Sequence, residues 1–264
     1  MFLHKTIKLL LSTLLILALS THAETTKALE YSKPPYDQRL NDYPRAKSWY
    51  QMANDDSAAA YNIGFIYQDR IKDYKKAEVW YKKAWSMEHR VDVANNLGCL
   101  YDDLKEYKKA EIWYKKVIAL NNNKGLFNLA LLYETKLNNY TKAIKYYKLA
   151  VEQGHTEAAN NLASLYKTKF HNYKEAIKWY KKAIKQEDSA GLKNLGRLYY
   201  HQQKDNINAS QYYLAMIGNP YKKERIINFL KNKWKISETD IKKGYQLQLN
   251  SKIIPEKLKY KGGI

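Results

Sequence analysis

The 264-residue sequence contains only one cysteine, five prolines and ten glycines. A single cysteine excludes an internal disulfide and any zinc or iron–sulfur site built from cysteines. Glycine and proline are too scarce for a fibrous or low-complexity protein, and a hydrophobic share of 45% is too high for a disordered chain. Phenylalanine is scarce as well, with 5 Phe beside 25 Tyr, so most aromatic rings carry a polar hydroxyl. The length suits one or two globular domains or one extended array.

The first 23 residues follow the plan of a secretory signal peptide. Lys5 and Lys8 make the start basic, the stretch from Leu9 to Leu19 is almost wholly apolar, and residues 21–23 place small side chains before a cleavage point ahead of Glu24. The apolar stretch is shorter than the roughly twenty residues of a membrane-spanning helix. No cysteine lies near the cleavage point, which excludes a bacterial lipid anchor. We therefore expect a protein that is periplasmic or secreted after cleavage, with an uncleaved anchor as the alternative.

The chain is strongly basic, with 46 Lys and Arg against 26 Asp and Glu. Removal of the signal peptide takes away Lys5 and Lys8 and no acid, so the formal charge falls from +20 to +18. Such a surface attracts anionic partners, namely nucleic acid, anionic lipid or acidic protein. An exported protein rarely meets nucleic acid, so no nucleic-acid partner is expected. The abundance of Lys over Arg also fits the composition of an AT-rich genome, which is the alternative origin of the charge.

One twelve-residue segment recurs at a fixed interval. It runs from Asp73 to Ala84 and returns at residues 106–117, 139–150 and 172–183, with weaker copies at 42–53 and 205–216. Its marker alanines are separated by 31, 33, 33, 33 and 33 residues. They are Ala46, Ala77, Ala110, Ala143, Ala176 and Ala209.

A second segment, of the type Asn-Leu-Gly-x-Leu-Tyr, alternates with the first. Both segments place apolar residues at i, i+3, i+4 and i+7, so each repeat is predicted to be a pair of helices, A then B. A small residue in the middle of helix A lets helix B approach closely. These small residues are Gly64, Gly98, Ala130, Ala163 and Gly196. The bulky Trp or Tyr pairs of helix B, starting at Trp80, are interpreted as core between repeats.

The pattern resembles the tetratricopeptide superfamily, and specifically its Sel1-like repeat branch. The residues that carry the resemblance are 152–166 (EQGHTEAANNLASLY) and 176–183 (AIKWYKKA). The short link between the helices, Gln68 to Asp73, departs from the glycine-rich insert of Sel1-like repeats. The resemblance implies an all-α, α/α right-handed superhelical solenoid whose A helices line a concave face. Secreted members with a disulfide in each repeat have reported enzymatic properties, which are not carried over because this chain lacks those cysteines.

The predicted organisation follows from these segments. After the signal peptide (1–23), an N-terminal cap with a lone helix (24–56, the helix from Asp42 to Ala53) precedes about five helix pairs (57–219). Capping helices follow in residues 220–250, the second of them capped at its start by Ser237. The basic tail, 251–264, is expected to have no regular structure.

No pattern for catalysis is present in the sequence. No histidine pairs with a nearby acid at metal-ligand spacing, and there is no phosphate loop, nucleophile elbow or pair of carboxylates. Cys99 is expected to be an inert, buried or groove-lining thiol. We therefore expect no enzyme, no cofactor and no bound metal.

An asparagine column lies on helix A, two residues before each small residue. In the tetratricopeptide superfamily this position often lines the groove, and a carboxamide offers both a donor and an acceptor to a peptide backbone. The alternative is that asparagine is simply common in this sequence. The column is Asn62, Asn96, Asn128, Asn161 and Asn194.

The remaining groove residues are projected from the same helical stripe, which runs from aromatic through acidic to basic. The exposed apolar members, Phe65, Phe127 and Leu131, would suit a partner's apolar side chains. Alternatively, these three pack on a cap or on a neighbouring turn. The projected residues outside the asparagine column are Tyr61, Phe65, Asp102, Phe127, Leu131, Glu134, Lys167, Arg197 and Tyr200.

Lysines collect on helix B and would form a basic ridge on the convex side. The ridge includes Lys75, Lys76, Lys82 and Lys83 and their counterparts in later repeats. It is either a solvated face or a weak contact for an anionic membrane surface. The sequence therefore predicts a non-enzymatic protein- or peptide-binding scaffold of the cell envelope, and the family includes immunity proteins against secreted toxins. The rival is a structural or regulatory factor held at the envelope surface by its lysines.

Overall fold

The computed structural model describes residues 37–218 and 221–264, and this part of the chain is helical. The predicted signal peptide and most of the N-terminal cap lie outside the described residues. Within the described residues there are thirteen α-helices and no β-strand, with one isolated bridge between Ile217 and Tyr221. The helices are α1 (Ala46–Met52), α2 (Ser57–Phe65), α3 (Tyr74–Met87), α4 (Val91–Asp103), α5 (Tyr107–Ala119), α6 (Asn123–Thr135), α7 (Tyr140–Glu152), α8 (Ala158–Lys169), α9 (Tyr173–Lys185), α10 (Ser189–Leu198), α11 (Asn206–Leu214), α12 (Lys223–Asn228) and α13 (Glu238–Leu249).

Five consecutive helix pairs form the repeats, which confirms the predicted all-α repeat fold. The pairs are α2 with α3, α4 with α5, α6 with α7, α8 with α9, and α10 with α11. The chain divides into two compact units. One unit ends at residue 120 and holds α1 and repeats 1 and 2, and the other begins at residue 121 and holds repeats 3 to 5 and the C-terminal cap.

Three α-helices continue into a π-helical turn. These turns are Ile66–Ile71 after α2, Tyr199–Gln203 after α10, and Phe229–Lys233 after α12. The first two occupy the link between helices A and B in repeats 1 and 5. π-Helical turns are rare and occur frequently at functional sites.

Each link between helices A and B ends with a residue in the left-handed conformation. The φ angles lie between 50° and 61°, and the residue after it begins the turn that starts helix B. At Asp73, Asn139, Asn172 and Asp205 that next residue accepts a hydrogen bond from a backbone N–H in the first turn of helix B. The left-handed residue and the N-cap residue that follows it thus form a short link in place of the glycine-rich insert. The left-handed residues are Lys72, Lys105, Asn138, His171 and Lys204.

The small residue of helix A is in contact with the second aromatic residue of helix B, as predicted. A Cβ atom added to Gly64 would lie 2.7 Å from Cδ1 of Tyr81, and one added to Gly196 would lie 2.6 Å from Cδ2 of Tyr213. Both tyrosine rings are buried. The space normally filled by a side chain on helix A is therefore occupied by the tyrosine ring, which explains why this position is small in every repeat.

One carboxylate binds several side chains at the beginning of the described chain. The predicted helix from Asp42 starts only at Ala46, because residues 38–42 form a 3₁₀ turn instead. Just before this turn, Asp37 accepts hydrogen bonds from Arg39 (2.8 Å), Lys76 (2.6 Å) and the Tyr67 hydroxyl (3.1 Å). The bond from the Arg39 guanidinium holds the pKa of Asp37 well below its usual range.

The C-terminal cap packs directly on the last repeat. Helix α13 lies against α11, and a Cβ on Gly244 would be 2.6 Å from Cβ of Ser210 and 2.8 Å from the carbonyl oxygen of Ile207. Only glycine allows this approach of the two backbones.

The tail after α13 is more ordered than the sequence predicts. Residues 256–258 form a 3₁₀ turn, and Ile254 is 2% exposed. The buried side-chain amide of Gln248 accepts a bond from the backbone N–H of Tyr260 (3.1 Å) and donates one to its carbonyl oxygen. The expectation of a tail without regular structure is corrected here. The tail is ordered by hydrogen bonds to Gln248 of α13, which cannot be predicted from the sequence of the tail alone.

Candidate binding face

The predicted groove residues lie on the A helices or at their C-terminal ends. Thirteen of the fourteen are exposed or half-buried, and Phe127 is buried. We call this set the A-helix face. The first unit carries Tyr61, Asn62, Phe65, Asn96 and Asp102, and the second carries Phe127, Asn128, Leu131, Glu134, Asn161, Lys167, Asn194, Arg197 and Tyr200.

Side-chain amides of the asparagine column bind neighbouring parts of the protein. Asn96 Nδ2 donates to the hydroxyl oxygens of Tyr61 (3.1 Å) and Tyr81 (3.2 Å), both in the preceding repeat. In the second unit, Asn194 Nδ2 donates to Asn160 Oδ1 at 2.9 Å, again across two repeats. Asn96 uses both N–H groups in this way, so its predicted role as a backbone donor to a partner is corrected to that of a link between repeats.

Phe127 is not an exposed groove residue. Its ring is 9% exposed and stacks on the His155 ring, with centroids 4.2 Å apart and an interplanar angle of 12°. His155 comes from the turn that precedes α8, so the neighbouring-turn alternative is the correct one for Phe127. Burial lowers the pKa of His155, which favours the neutral ring in this stack. Leu131, four residues after Phe127, is half-buried.

Phe65 is exposed and lines an apolar pocket in the first unit. Its side chain is 43% exposed. The pocket has a volume of about 360 Å³, and Asn62, Trp49 and Pro44 also line it. A large, exposed aromatic ring in the wall of a largely apolar pocket is the kind of surface that partner side chains cover.

In the second unit, Glu134 accepts a hydrogen bond from the Tyr147 hydroxyl at 2.6 Å. Burial raises the pKa of Tyr147, and the adjacent carboxylate raises it further, so this proton stays on the tyrosine. One acceptor position of the Glu134 carboxylate is therefore already used within the protein.

Three predicted residues meet at the end of the second unit. Lys167, Arg197 and Tyr200 line one pocket of about 920 Å³. The pocket also includes residues that the sequence did not assign to the face: His171, His201, Lys204, Phe229, Lys233 and Trp234. We call this cavity the basic pocket. Phe229, Lys233 and Trp234 belong to the C-terminal cap. The cap has no counterpart in the repeats, so the 33-residue period could not predict these three residues.

The lysines of helix B are less free than a solvated ridge would be. Lys83 is 5% exposed, and its Nζ donates to Asn54 Oδ1 at 2.9 Å. Its assignment to the exposed ridge is corrected, because the side chain is buried and its Nζ lies over the Trp80 ring. Lys76, Lys109 and Lys142 occupy equivalent positions in three repeats. Each lies over a tyrosine of helix A or of the turn that continues it, with Nζ 4.8–5.5 Å from the ring centroid.

Cys99 lies in a site that disfavours the reactive thiolate. Burial raises its pKa, and the Tyr114 hydroxyl donates to its Sγ at 3.6 Å. Across residues 37–218 and 221–264, no three His, Cys, Asp or Glu side chains are grouped as metal ligands would be. In the same residues, no helix has both the length and the apolar character needed to cross a membrane.

Comparison with known families finds two related repeat models. The tetratricopeptide repeat matches residues 91–124 and 124–153, and the Sel1 repeat matches residues 27–56, 57–89 and 156–188. Together the matched segments cover more than half of the chain. A comparison with curated proteins finds no match.

Solved structures with a similar fold come from several bacteria. The c5321 protective antigen of uropathogenic Escherichia coli, described as having an SLR fold, has 23% identity and a TM-score of 0.55, over 83% of this chain and 52% of that one. This chain therefore spans about half the length of that structure. The pilF protein of Pseudomonas aeruginosa has 16% identity and a TM-score of 0.51, over 86% and 99% of the two chains. A Sel1 repeat protein from Oxalobacter formigenes has 19% identity and a TM-score of 0.48, over 78% and 99%.

Proposed function

This chain belongs to the Sel1-like and tetratricopeptide repeat superfamily, and we propose that it is a scaffold that binds a protein or peptide partner through the A-helix face. Repeats of this superfamily mediate protein and peptide binding and are typically non-catalytic. The observation that carries the proposal for this chain is the exposure of Phe65, which lines a largely apolar pocket on that face. By contrast, Trp80 and Tyr81 of the first helix B are core residues with no exposed area.

Site-specific crosslinking tests which face meets the partner. A photo-crosslinking amino acid placed at Phe65, in the first unit, or at Leu131, in the second, should capture a partner protein, because both positions belong to A helices. The matched control is Ile112 on α5, an apolar residue that is 55% exposed on a helix B. Capture at Ile112 that equals capture at the other two positions would contradict the proposal.

We further propose that the protein acts in the cell envelope after cleavage ahead of Glu24. The support is the basic start, the apolar stretch and the small residues of positions 1–23. Mass spectrometry of the protein isolated from its own cells should give an N-terminus at or near Glu24, whereas an intact Met1 would argue against export by cleavage. A specific form of the proposal, taken from the family resemblance, is an immunity protein, and a secreted toxin as the captured partner would support it.

The envelope-surface rival is favoured by one patch on α9. Five lysines surround Trp179 and Ile253 in a pocket of about 680 Å³, and they are Lys174, Lys178, Lys181, Lys182 and Lys185. Cosedimentation with phosphatidylglycerol vesicles distinguishes the two functions. If vesicle binding is strong and is lost when Lys181 and Lys182 are changed to Gln, the result supports a factor held at the envelope surface. If the protein stays in the supernatant, the protein-binding proposal is retained.

A further inference from the structure

The basic pocket is lined by four cations from three separate segments of the chain. Lys167 lies near the end of α8 and Arg197 on α10, Lys204 follows the π-helical turn after α10, and Lys233 ends the π-helical turn after α12. No Asp or Glu is among the residues that line it. Four positive charges therefore face one cavity of about 920 Å³ without a lining acid.

In the part of the chain that the structure describes, these four cations lack an acidic partner, whereas several lysines elsewhere on the protein have one. Lys76, Lys82 and Lys115 form ion pairs at 2.6–2.8 Å, and other lysines lie over aromatic rings. Within the described residues, none of the four cations of the basic pocket forms an ion pair or lies over a ring. The lysine-rich pocket on α9 has Glu152 in its lining, whereas the basic pocket gathers four cations with no acid in its lining.

Two of the charges already interact unfavourably. Burial lowers the pKa of Lys167, and the nearby positive charge of Arg197 lowers it further. A buried ammonium group has lost part of its hydration, and a second cation nearby repels it. A bound anion stabilises such a group, because its attraction to both cations replaces the lost hydration. The pocket is thus electrostatically complementary to a negatively charged ligand.

The other wall of the basic pocket is aromatic and held rigidly. The rings of Tyr200 and Trp234 are stacked, with centroids 4.2 Å apart and an interplanar angle of 5°. Trp234 also contacts Tyr213 at 4.4 Å and Phe229 at 5.0 Å between ring centroids. A wall fixed on several sides loses little conformational freedom when a ligand binds. The pocket therefore offers an apolar surface beside its cations.

We propose that the basic pocket binds an acidic peptide segment, with Lys167, Arg197 and Lys233 contacting its carboxylates and the Tyr200–Trp234 wall contacting an adjacent apolar side chain. The proposal rests on the proposed function, since it names the chemistry of the partner at one end of the second unit. A peptide with acidic and apolar residues fits the cavity better than a nucleic acid, because the charges surround a single pocket instead of following a stripe spaced for successive phosphates.

The test uses the protein without residues 1–23 and a fluorescein-labelled hexapeptide of alternating glutamate and tryptophan. Fluorescence anisotropy should show binding that weakens as NaCl rises, because the attraction is screened. The double variant Lys167→Gln/Arg197→Gln should bind at least about tenfold more weakly. The matched control, Lys136→Gln, removes an exposed charge at the end of α6, outside the basic pocket, and should change the affinity less than about twofold. The variant Lys204→Gln/Lys233→Gln repeats the test from the other side of the cavity.

Three outcomes would overturn the proposal. The first is equal binding of a hexapeptide with lysine in place of glutamate. The second is an equal loss of affinity in Lys136→Gln. The third is tighter, equally pocket-dependent binding of a single-stranded oligonucleotide or of phosphatidylglycerol vesicles, which would assign the pocket to another class of anion.

The two proposals can fail separately. If crosslinking at Phe65 and Leu131 captures a partner that the Lys167→Gln/Arg197→Gln variant still binds normally, the A-helix face stands and the basic pocket does not. If the acidic hexapeptide binds as expected but those two positions capture nothing, the reverse holds.

Discussion

The Tyr200 hydroxyl donates a hydrogen bond to the backbone carbonyl oxygen of Trp234 at 2.7 Å, while the two rings lie parallel. This pair joins the last repeat to the C-terminal cap. Tyr200 lies in the π-helical turn after α10, and Trp234 directly follows the π-helical turn after α12. The ring contact and the hydrogen bond together fix the cap against the repeat. A residue predicted only as part of a binding face therefore also has a structural role.

Loss of that hydroxyl should cost stability. Tyr200→Phe keeps the ring stack but leaves the Trp234 carbonyl without this donor, so the free energy of unfolding should fall by about 1 kcal/mol. Urea unfolding followed by circular dichroism measures the change. Tyr140→Phe is the control, since its hydroxyl donates to the exposed side chain of Asn138, and it should change stability by less than about 0.5 kcal/mol. Equal effects of the two variants would mean that the bond to Trp234 has no special weight.

Asn96→Ala should destabilise the fold, contrary to what its place in the asparagine column suggests. The change removes the donors to the hydroxyls of Tyr61 and Tyr81, and Tyr81 is buried, so we expect a loss of about 1–2 kcal/mol in the free energy of unfolding. The comparison is Asn62→Ala, at the same position of the first repeat, where the side chain lines the Phe65 pocket. Asn62→Ala should leave stability within about 0.5 kcal/mol. A stable Asn96→Ala protein with impaired partner binding would restore the original hypothesis.

The Asp37 cluster predicts a pH-dependent contribution to stability. Because hydrogen bonds from Arg39 and Lys76 depress the folded-state pKa of Asp37, its contribution is fully present above the unfolded value near 3.9 and is lost as the pH falls below it. Asp37→Asn should therefore destabilise the protein by about 1–3 kcal/mol at neutral pH. The difference from the unmodified protein should shrink steadily below about pH 4.

Thermal unfolding at several pH values measures this difference. Asp55→Asn is the control. It removes the charge of an exposed carboxylate in the same region, and its effect on stability should be small. A stability difference for Asp37→Asn that stays constant from neutral to acidic pH would show that the charge of Asp37 is not what holds the N-terminal segment.

A glycine at a left-handed position should stabilise the protein. Lys105 has a φ angle of 61°, which strains a residue that has a Cβ atom. Lys105→Gly relieves this strain at some cost in unfolded-state entropy, and the expected net gain is about 0.5–1 kcal/mol. Lys145→Gly in the middle of α7 serves as the control and should cost about 1 kcal/mol, since glycine is unfavourable inside a helix. Chemical denaturation measures the change in the free energy of unfolding of both variants. A loss of stability in Lys105→Gly would contradict the strain at this position.

The repeat architecture follows from the sequence because it depends on local periodicity. The 33-residue spacing of the alanines and the apolar positions at i, i+3, i+4 and i+7 are sufficient to place five helix pairs. The same is true of the contact between Gly64 and Tyr81, since a small residue on one helix and a bulky one on the next can be recognised from their regular recurrence. Ser237 likewise shows the start of α13 directly, because capping is a local hydrogen bond.

The chemistry of individual positions was decided by contacts that the period does not describe. Phe127 lies at an exposed position of the stripe, yet the His155 ring from a following turn covers it. Lys83 belongs to a lysine-rich surface pattern, yet its Nζ finds an amide oxygen 29 residues earlier in the chain. Each of these contacts depends on how one loop or side chain folds back, which repetition of the sequence cannot specify.

The C-terminal cap gives the clearest division between the two sources of information. The sequence determined that Lys167, Arg197 and Tyr200 share one stripe of the repeats. Only the tertiary structure placed Lys233 and Trp234 beside them, because the cap has no repeat partner whose register would predict its position. Its place is fixed instead by close approach at Gly244 and by the stack of Tyr200 on Trp234, which are packing contacts between segments about 34 residues apart.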